Sequence, residues 1–241
     1  LKAAESTEIF DKDGVLLYII HGDENREQVA YDEIAPYVAE ATVAIEDSDF
    51  WNHKGFDLSA LAVGVMHELF GIGAPRGGST ITQQYVKNAL LSSEHSYLRK
   101  MKELILAIRL ERVYDKQEIL ELYLNRIPYG NNAYGIQKAS EIYFGKNAKD
   151  LDLAESAILV SLPQAPSKYN PYGDNKYSHL LKEFSNEELF MRGIEKEQDL
   201  QTEEYVRGLI GQFVDPGNGK KFYIAGRTDL VLKRMFELGM I

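Results

Sequence analysis

Apolar and polar positions follow different periods in successive parts of this 241-residue chain. Residues 1–30 carry short apolar runs around a Lys-Asp-Gly turn, as in EIFDKDGVLLYII, a pattern typical of a β-hairpin. From residue 31 apolar residues recur at helical spacing, which predicts helices over residues 34–47, 57–70, 80–91, 97–114, 116–125, 132–144 and 152–162. Residues 173–226 are polar and charged with helical stretches, and GRTDLVLKRMFELGMI predicts a short closing amphipathic helix.

These patterns predict a mainly α fold with a small N-terminal β appendage. We assign residues 1–30 to the appendage and residues 31–172 to the helical core. Residues 173–241 form a C-terminal extension that ends in the closing helix, and residues 173–226 show no cluster of side chains that indicates chemistry.

The predicted helix that opens at Asp57 has an apolar stripe and runs into a Gly-rich apolar loop, FGIGAP. The stripe consists of Leu58, Leu61, Ala62, Val65, Met66 and Leu69. One interpretation places it in the core. The other inserts residues 58–75 into a membrane interface, where a peripheral enzyme reaches a lipid. The pattern alone does not separate them.

Composition excludes several classes of function. The net charge of −10 argues against a general nucleic-acid binder, and the lack of cysteine excludes disulfides, thiolate metal ligands and cysteine nucleophiles. No apolar run approaches the length of a membrane span. The chain begins with Leu1, so we expect an excised or processed fragment whose native N-terminal extension is missing.

The densest chemistry lies in ATVAIEDSDFWNHKGFD, residues 41–57. An apolar run, residues 41–45, directly precedes Glu46 and Asp47. The aromatic pair Phe50 and Trp51 follows, and then His53. A carboxylate in such surroundings is a candidate general base. The alternative is a buried helix that runs into a loop, with both carboxylates in water. A lone histidine is more often structural than catalytic, so we expect His53 to support the site.

A second candidate site is GGSTITQQYVKN, residues 77–88, where a Gly-Gly loop enters a helix. A helix start with hydroxyl side chains and a lysine two turns later suits an anion. The candidate residues are Ser79, Thr80, Gln84, Lys87 and Asn88. Thr80 and Gln83 also satisfy the spacing of a capping box, which is the structural alternative for these two residues.

The helix predicted over residues 97–114 is apolar around nearly its whole circumference and is therefore expected to be largely buried. Within it, Glu103 has Arg99 and Lys100 one turn earlier. A carboxylate held beside two cations in a half-buried place is a candidate functional group, and a local ion pair is the alternative.

With these pieces in order the chain resembles the peptidoglycan glycosyltransferase domain, glycosyltransferase family 51, of class A penicillin-binding proteins and monofunctional transglycosylases. The resemblance covers residues 10–171 and resumes at Arg227. It rests on five blocks in the family's order: EDSDFWNHKG, GGSTITQQ, RKMKE, ILELYLN and SLPQAPSKYNP. Residues 173–226 are longer than we expect between the last block and the closing helix.

The resemblance implies a lysozyme-like, two-lobed fold, with a head and a smaller jaw, about residues 57–78, that dips toward the membrane. It implies polymerisation of lipid II into β-1,4 glycan strands by inverting transfer, with release of undecaprenyl diphosphate. The implied place is the extracytoplasmic face of the bacterial cytoplasmic membrane, with an N-terminal anchoring helix absent from this chain. Implied partners are the growing strand, moenomycin-type inhibitors and a cell-wall synthesis complex, but no nucleic acid. No cofactor is required, although a divalent metal, Mg²⁺ or Mn²⁺, is a candidate aid to the diphosphate.

Mapped onto this sequence, the resemblance makes Glu46 the general base and puts Glu103 on the donor side near the leaving diphosphate. Lys87, Arg99 and Lys100, with the helix start at Ser79, would bind that diphosphate. The remaining matched positions line or support the cleft: Asp47, Phe50, His53, Thr80, Gln83, Gln84, Asn88, Tyr123 and Asn125. Class A proteins continue into a transpeptidase, but no Ser-x-x-Lys or Lys-Thr-Gly motif of a transpeptidase site occurs in this chain.

Other classes of function compete with this interpretation. A lysozyme-like muramidase or lytic transglycosylase would share the fold and one glutamate, but it has no use for diphosphate-binding cations. A catalytically silent lipid II-binding module would not need both Glu46 and Glu103.

Overall fold

The computed structural model describes residues 7–10, 16–20, 25–57, 79–90 and 97–241, and helices predominate among them. The helices are α1 (Pro36–Glu46), α2 (Ile81–Leu90), α3 (Tyr97–Leu110), α4 (Lys116–Leu124), α5 (Ile136–Phe144), α6 (Leu153–Ser161), α7 (Asn186–Arg192) and α8 (Arg227–Glu237). The strands are short: β1 (Thr7–Phe10), β2 (Leu16–Ile20), β3 (Asn25–Arg26), β4 (Pro128–Gly130), β5 (Ala133–Tyr134), β6 (His179–Leu180), β7 (Tyr205–Val206), β8 (Gln212–Val214) and β9 (Phe222–Ile224). The predicted mainly α class is confirmed.

Local sequence signals explain where the core helices begin. Pro36 stands at the first position of α1, where its missing N–H costs nothing. Capping boxes open α4, between Asp115 and Glu118, and α6, between Asp152 and Glu155. At α4 and α6 the predicted starts, residues 116 and 152, agree with the observed ones to within one residue, whereas α1 begins two residues later than predicted.

The core brings the two ends of the helical region together. Helix α1 packs against α6 and α8, while α2 packs against α3 and α4. Val38 on α1, Leu159 on α6 and Val231 on α8 are fully buried at the first of these contacts. The end of α1 therefore comes close to the start of α8, although the two are far apart in sequence.

The strands form small sheets at the periphery. β1 and β2 pair antiparallel, as the hairpin signal predicts, whereas β3 pairs parallel with β5 of the helical region. β4 and β5 pair antiparallel around Asn131 and Asn132, both with positive φ, 49° and 58°. This turn is the reason that the helix predicted over residues 132–144 begins only at Ile136.

Helix α3 differs from its prediction in length and in burial. It ends at Leu110, and the expectation that it is largely buried is wrong: Leu98, Met101 and Ile105 are 70%, 61% and 48% exposed. Its opposite face is buried, with Glu103 at 2% and Ala107 at 0%. Among the described residues, α3 packs mainly on α2, so only the face toward α2 is covered.

Residues 173–226 contain more regular structure than their polar composition suggests. β6 pairs with β7, β8 pairs with β9, and α7 lies between β6 and β7 in the chain. These elements enclose a small cluster of their own: Phe184, Leu189, Ile194, Val214, Phe222 and Ile224. The segment meets the core at the start of α8, where the Arg227 and Thr228 N–H groups donate to the carbonyls of Gly208 and Leu209 at 2.9 and 3.0 Å.

None of the helices that the structure describes is both long and apolar enough to cross a membrane. The predicted jaw, about residues 57–78, and the apolar stretch 58–75 lie outside the described residues apart from Asp57.

Candidate active site

Glu46 is the last residue of α1, and its carboxylate faces two groups from other parts of the chain. Gln84 Nε2 of α2 donates to Glu46 Oε2 at 2.9 Å. On the other side, Arg227 Nη2 of α8 lies 3.7 Å from Glu46 Oε1, and both side chains are mostly buried, at 11% and 17% exposure. The carboxylate is thus held by a neutral donor and a cation while one edge stays accessible.

A polar cleft of about 440 Å³ opens in front of this carboxylate. Its described lining residues are Ile45, Glu46, Ser79, Gln84, Lys87, Pro163, Gln164 and Arg227. A carboxylate, two cations, a hydroxyl and two amides therefore converge on one space. This set can deprotonate a bound hydroxyl and hold negative charge nearby.

Two buried tyrosines stand behind Glu46. Tyr123 and Tyr129 are 1% and 0% exposed and line a small space with Glu46. Burial first, and then the Glu46 charge, raises the pKa of both phenols, so both stay protonated. Tyr123 Oη donates to Gln84 Oε1 at 3.2 Å, which turns the Gln84 amide so that its NH₂ group faces Glu46.

Asp47 and His53 lie beneath the cleft rather than in it. Asp47 Oδ2 accepts the backbone N–H of Ile81 at 3.0 Å and lies 2.8 Å from His53 Nε2. His53 Nδ1 accepts from the Gly55 N–H at 3.2 Å, so Nε2 carries the proton and donates to Asp47. The pair ties the end of α1 to the start of α2.

A buried ion pair lies next to this histidine, and no sequence pattern predicted it. Glu111 Oε1 lies 2.8 Å from Lys116 Nζ and accepts from Thr82 Oγ1 at 2.6 Å. Lys116 also stands over the Phe50 ring, 4.5 Å from its centroid, and Phe50 is fully buried. The pair therefore joins α4 and the end of α3 to α2, directly under the cleft.

The backbone N–H groups at the start of α2 are largely used within the protein. Thr80 and Gln83 form the predicted capping box: the Thr80 N–H donates to Gln83 Oε1 at 3.0 Å, and the Gln83 N–H donates to Thr80 Oγ1 at 3.2 Å. The Ile81 N–H is taken by Asp47. A bound anion at this helix start would thus be met by side chains rather than by these N–H groups.

Glu103 is connected to the cleft through Lys100. Lys100 Nζ donates to Ser79 Oγ at 2.8 Å and also pairs with Glu103 Oε1. Glu103 is 2% exposed while Lys100 is half exposed, so the buried carboxylate holds the ammonium group beside Ser79 at the rim.

The other predicted site residues are placed as follows. Lys87 lines the cleft, Asn88 is exposed near the end of α2, and Arg99 is half-buried in the first turn of α3. Asn125 is buried away from the cleft lining: its side chain exchanges hydrogen bonds with the backbone of Val29, at 2.8 and 3.0 Å. Asn125 therefore holds the backbone at Val29 against the end of α4.

Sequence reasoning missed Arg227, Gln164 and Pro163 as cleft residues. Arg227 offers a signal in retrospect, since it is the first residue of α8, where the helix dipole disfavours a cation. A local rule broken at a helix start often marks a functional residue. Gln164 and Pro163 lie in the SLPQAPSKYNP block but were not singled out.

The described residues include no group of three or more histidine, aspartate or glutamate side chains arranged to hold a metal ion. A divalent metal at the diphosphate stays a prediction.

Fold and site together define a mainly helical protein in which the Glu46 carboxylate, at the end of α1, faces a cleft that bears cations. The chain belongs to the transglycosylase family, whose model matches residues 13–187.

Curated relatives agree with this assignment. The chain is 45% identical over 166 residues to penicillin-binding protein 1F of Bacillus subtilis (strain 168), which covers 69% of this chain and 23% of that protein. It is 44% identical over 164 residues to penicillin-binding protein 1A of Escherichia coli (strain K12), covering 68% and 19%. With penicillin-binding protein 1A of Neisseria flavescens, identity is 35% over 233 residues, covering 95% and 28%.

The chain thus spans about a quarter of the length of these relatives. The crystal structure of penicillin-binding protein 1A from Haemophilus influenzae aligns with 71% of this chain and 16% of its own, at 24% identity and a TM-score of 0.35. A similarity at that level supports no further conclusion.

Proposed function

We propose that this chain is a peptidoglycan glycosyltransferase that polymerises lipid II into β-1,4 glycan strands. The observation that carries the proposal is the Glu46 carboxylate, held between Gln84 and Arg227 at the head of the polar cleft, in a member of the transglycosylase family.

In the proposed reaction Glu46 takes the proton from the 4-hydroxyl of the acceptor sugar. That oxygen attacks the anomeric carbon of the donor with inversion, and the bond from this carbon to the lipid diphosphate breaks. Gln84 donates to one oxygen of Glu46, and the Arg227 guanidinium faces the other, so the carboxylate is held toward the cleft. Undecaprenyl diphosphate leaves with the bonding electron pair.

The leaving diphosphate gains negative charge in the transition state, and cationic side chains at the cleft suit that change. Lys87 lines the cleft, and Lys100 reaches its rim beside Ser79. In this proposal Glu103 does not touch the sugar but orients Lys100, and Arg99 adds a cation from the same helical turn. Asp47, Phe50, His53, Thr80, Gln83, Tyr123 and Asn125 hold the elements that carry these groups, and Asn88 is assigned to the substrate-facing end of α2.

The remaining assignments follow from the substrate. We propose action at the extracytoplasmic face of the cytoplasmic membrane, membrane contact through residues 58–75, binding of the growing strand and inhibition by moenomycin-type compounds. Membership of a cell-wall synthesis complex and assistance from Mg²⁺ or Mn²⁺ belong to the same proposal.

The test is incubation of the purified chain with labelled lipid II in detergent, with and without moenomycin, and separation of the products on a gel. We expect a ladder of glycan strands that moenomycin suppresses. Glu46→Gln should abolish the ladder while keeping the fold and lipid II binding. A ladder made by Glu46→Gln at a near wild-type rate would remove Glu46 from the role of base.

The same assay separates the competing functions. A lysozyme-like hydrolase would degrade finished peptidoglycan without a lipid carrier, and it would not need Lys87 or Lys100. A silent binding module would retain lipid II without producing any strand.

A further inference from the structure

A second cavity of about 570 Å³ lies beside the first half of α1, away from the catalytic cleft. Its described lining comes from the short 3₁₀ helix Tyr31–Glu33, from the first turns of α1, from Trp51 and from Met240. The volume is within the range of sites that bind small molecules or a few side chains. Pro36, Ala39 and Glu40 face this cavity, whereas Ile45 and Glu46 of the same helix face the cleft.

The walls of this cavity are mostly apolar and aromatic. Tyr31 and Trp51 contribute rings, and Ile34 and Met240 contribute aliphatic surface. Trp51 is 46% exposed even though its neighbour Phe50 is fully buried. A half-exposed tryptophan at the edge of an apolar cavity is typical of a recognition surface.

Two carboxylates, those of Asp32 and Glu40, line the same cavity. Neither makes a salt bridge with a cation within the described part of the chain, in contrast to Glu46, Glu103 and Glu111. Glu40 and Tyr31 line the cavity together, and burial and the Glu40 charge raise the pKa of the Tyr31 phenol. No lysine or arginine is among the described lining residues.

We propose that this cavity binds an extended segment of a partner protein in which an arginine or lysine is flanked by aliphatic side chains. Its cation would lie between Asp32 and Glu40, over the Trp51 ring, where carboxylates and the aromatic face both attract it. The aliphatic neighbours would cover Ile34, Ala39 and Met240. Charge complementarity selects this occupant, because a purely apolar segment would leave the two carboxylates without partners.

The chain has a built-in reporter for the test, since Trp51 is its only tryptophan. The probe is a capped heptapeptide that alternates leucine and arginine, and the control peptide has glutamate in place of arginine. We expect a saturable change in Trp51 fluorescence with the first peptide, with a Kd on the order of 10–100 μM, and none with the second.

Matched variants locate the binding. The double variant Asp32→Asn with Glu40→Gln should bind the leucine–arginine peptide at least tenfold more weakly. Glu33→Gln removes a charge from the same 3₁₀ helix outside the described cavity lining and should bind like wild type. Glu46→Gln should also bind like wild type, so failure of this inference is separable from failure of the proposed enzyme function. Circular dichroism checks that each variant is folded.

Four outcomes would overturn the proposal. One is no saturable response to the leucine–arginine peptide. Another is equal binding of both peptides, or equal binding by the double variant and wild type. The last is a concentration-dependent change in Trp51 fluorescence without peptide, with a dimer in sedimentation, which would assign the cavity to a second copy of the chain.

Discussion

At the scale of single residues, the site depends on the orientation of one amide. Gln84 presents its NH₂ group to Glu46 because its carbonyl accepts from the Tyr123 hydroxyl. Reversal of that amide would place an oxygen against the carboxylate. We therefore propose Tyr123 as a positioning residue that acts on Glu46 through Gln84.

Tyr123→Phe should lower the glycan polymerisation rate three- to tenfold with little change in KM for lipid II. The hydrogen bond it removes contributes about 1 kcal/mol to stability. Tyr143→Phe is a matched control, since it removes a half-buried tyrosine hydrogen bond, donated to the Tyr129 carbonyl at 2.9 Å, that involves neither Gln84 nor Glu46. Rates and urea unfolding of both variants are compared. Equal loss of rate in the two would return Tyr123 to a purely structural role.

Site residues that belong to a sequence motif could be predicted. Site residues that reach the cleft only through the packing of distant helices could not. Glu46, Ser79, Gln84 and Lys87 follow from their motifs, and the structure brings them to one cleft. Arg227 reaches Glu46 only through the packing of α8 against α1, which no local pattern encodes.

At the scale of elements, the cleft is supported by the buried pair of Glu111 and Lys116. Their side chains are 5% and 19% exposed, and Glu111 also accepts from Thr82 on α2. Helix positions could be read from periodicity and caps, but this pair could not, because it forms between the end of one helix and the start of the next.

Removal of one partner of a buried pair leaves a charge without compensation, at a cost of about 3–5 kcal/mol. Glu111→Gln and Lys116→Met should each lower the free energy of unfolding by that order. The double variant should lose less than the sum, because neither charge then remains. Urea denaturation of the four proteins gives the coupling energy, and simple additivity would show that the two groups do not interact.

The segment 173–226 contains a cluster of ion pairs around Glu204. Glu204 accepts from Arg192 Nη1 at 2.7 Å and lies 3.1 Å from Lys182 Nζ, and its side chain is 4% exposed. Hydrogen bonding by Arg192 is the largest cause that lowers the pKa of Glu204 from 4.5 to about 2. The folded state thus holds this carboxylate ionised more strongly than the unfolded chain does.

A lowered folded pKa contributes stability that is present above pH 4.5 and is lost as the pH falls toward 2. Wild type should therefore lose more stability between pH 6 and pH 3 than Glu204→Gln does. Glu203→Gln, at the exposed neighbouring position, should behave like wild type. Urea midpoints at the two pH values test this, and identical pH dependence in wild type and Glu204→Gln would contradict it.

At the scale of the whole molecule, residues 173–226 are connected to the candidate active site. Their carbonyls at Gly208 and Leu209 accept the first N–H groups of α8, and the first side chain of α8 is Arg227, which faces Glu46. From its composition, this segment was predicted to be a polar extension with no cluster of side chains that indicates chemistry. The prediction missed the connection because backbone hydrogen bonds between residues far apart in sequence do not affect the polarity or the periodicity of the residues that make them.

The contact at Gly208 is tight enough to test this connection. A Cβ at Gly208 would lie 2.3 Å from the carbonyl carbon of Tyr177, so Gly208→Ala must shift the backbone whose carbonyl accepts the Arg227 N–H. We expect the polymerisation rate to fall at least fivefold in folded protein. Gly173→Ala is the control, since the nearest atom to a Cβ there is the Asn170 Cβ, at an ordinary contact distance of 3.4 Å. Because the effect should pass through Arg227, Gly208→Ala should add little to the loss caused by Arg227→Ala. A full additional loss in the double variant would mean that the segment acts on the cleft by another route.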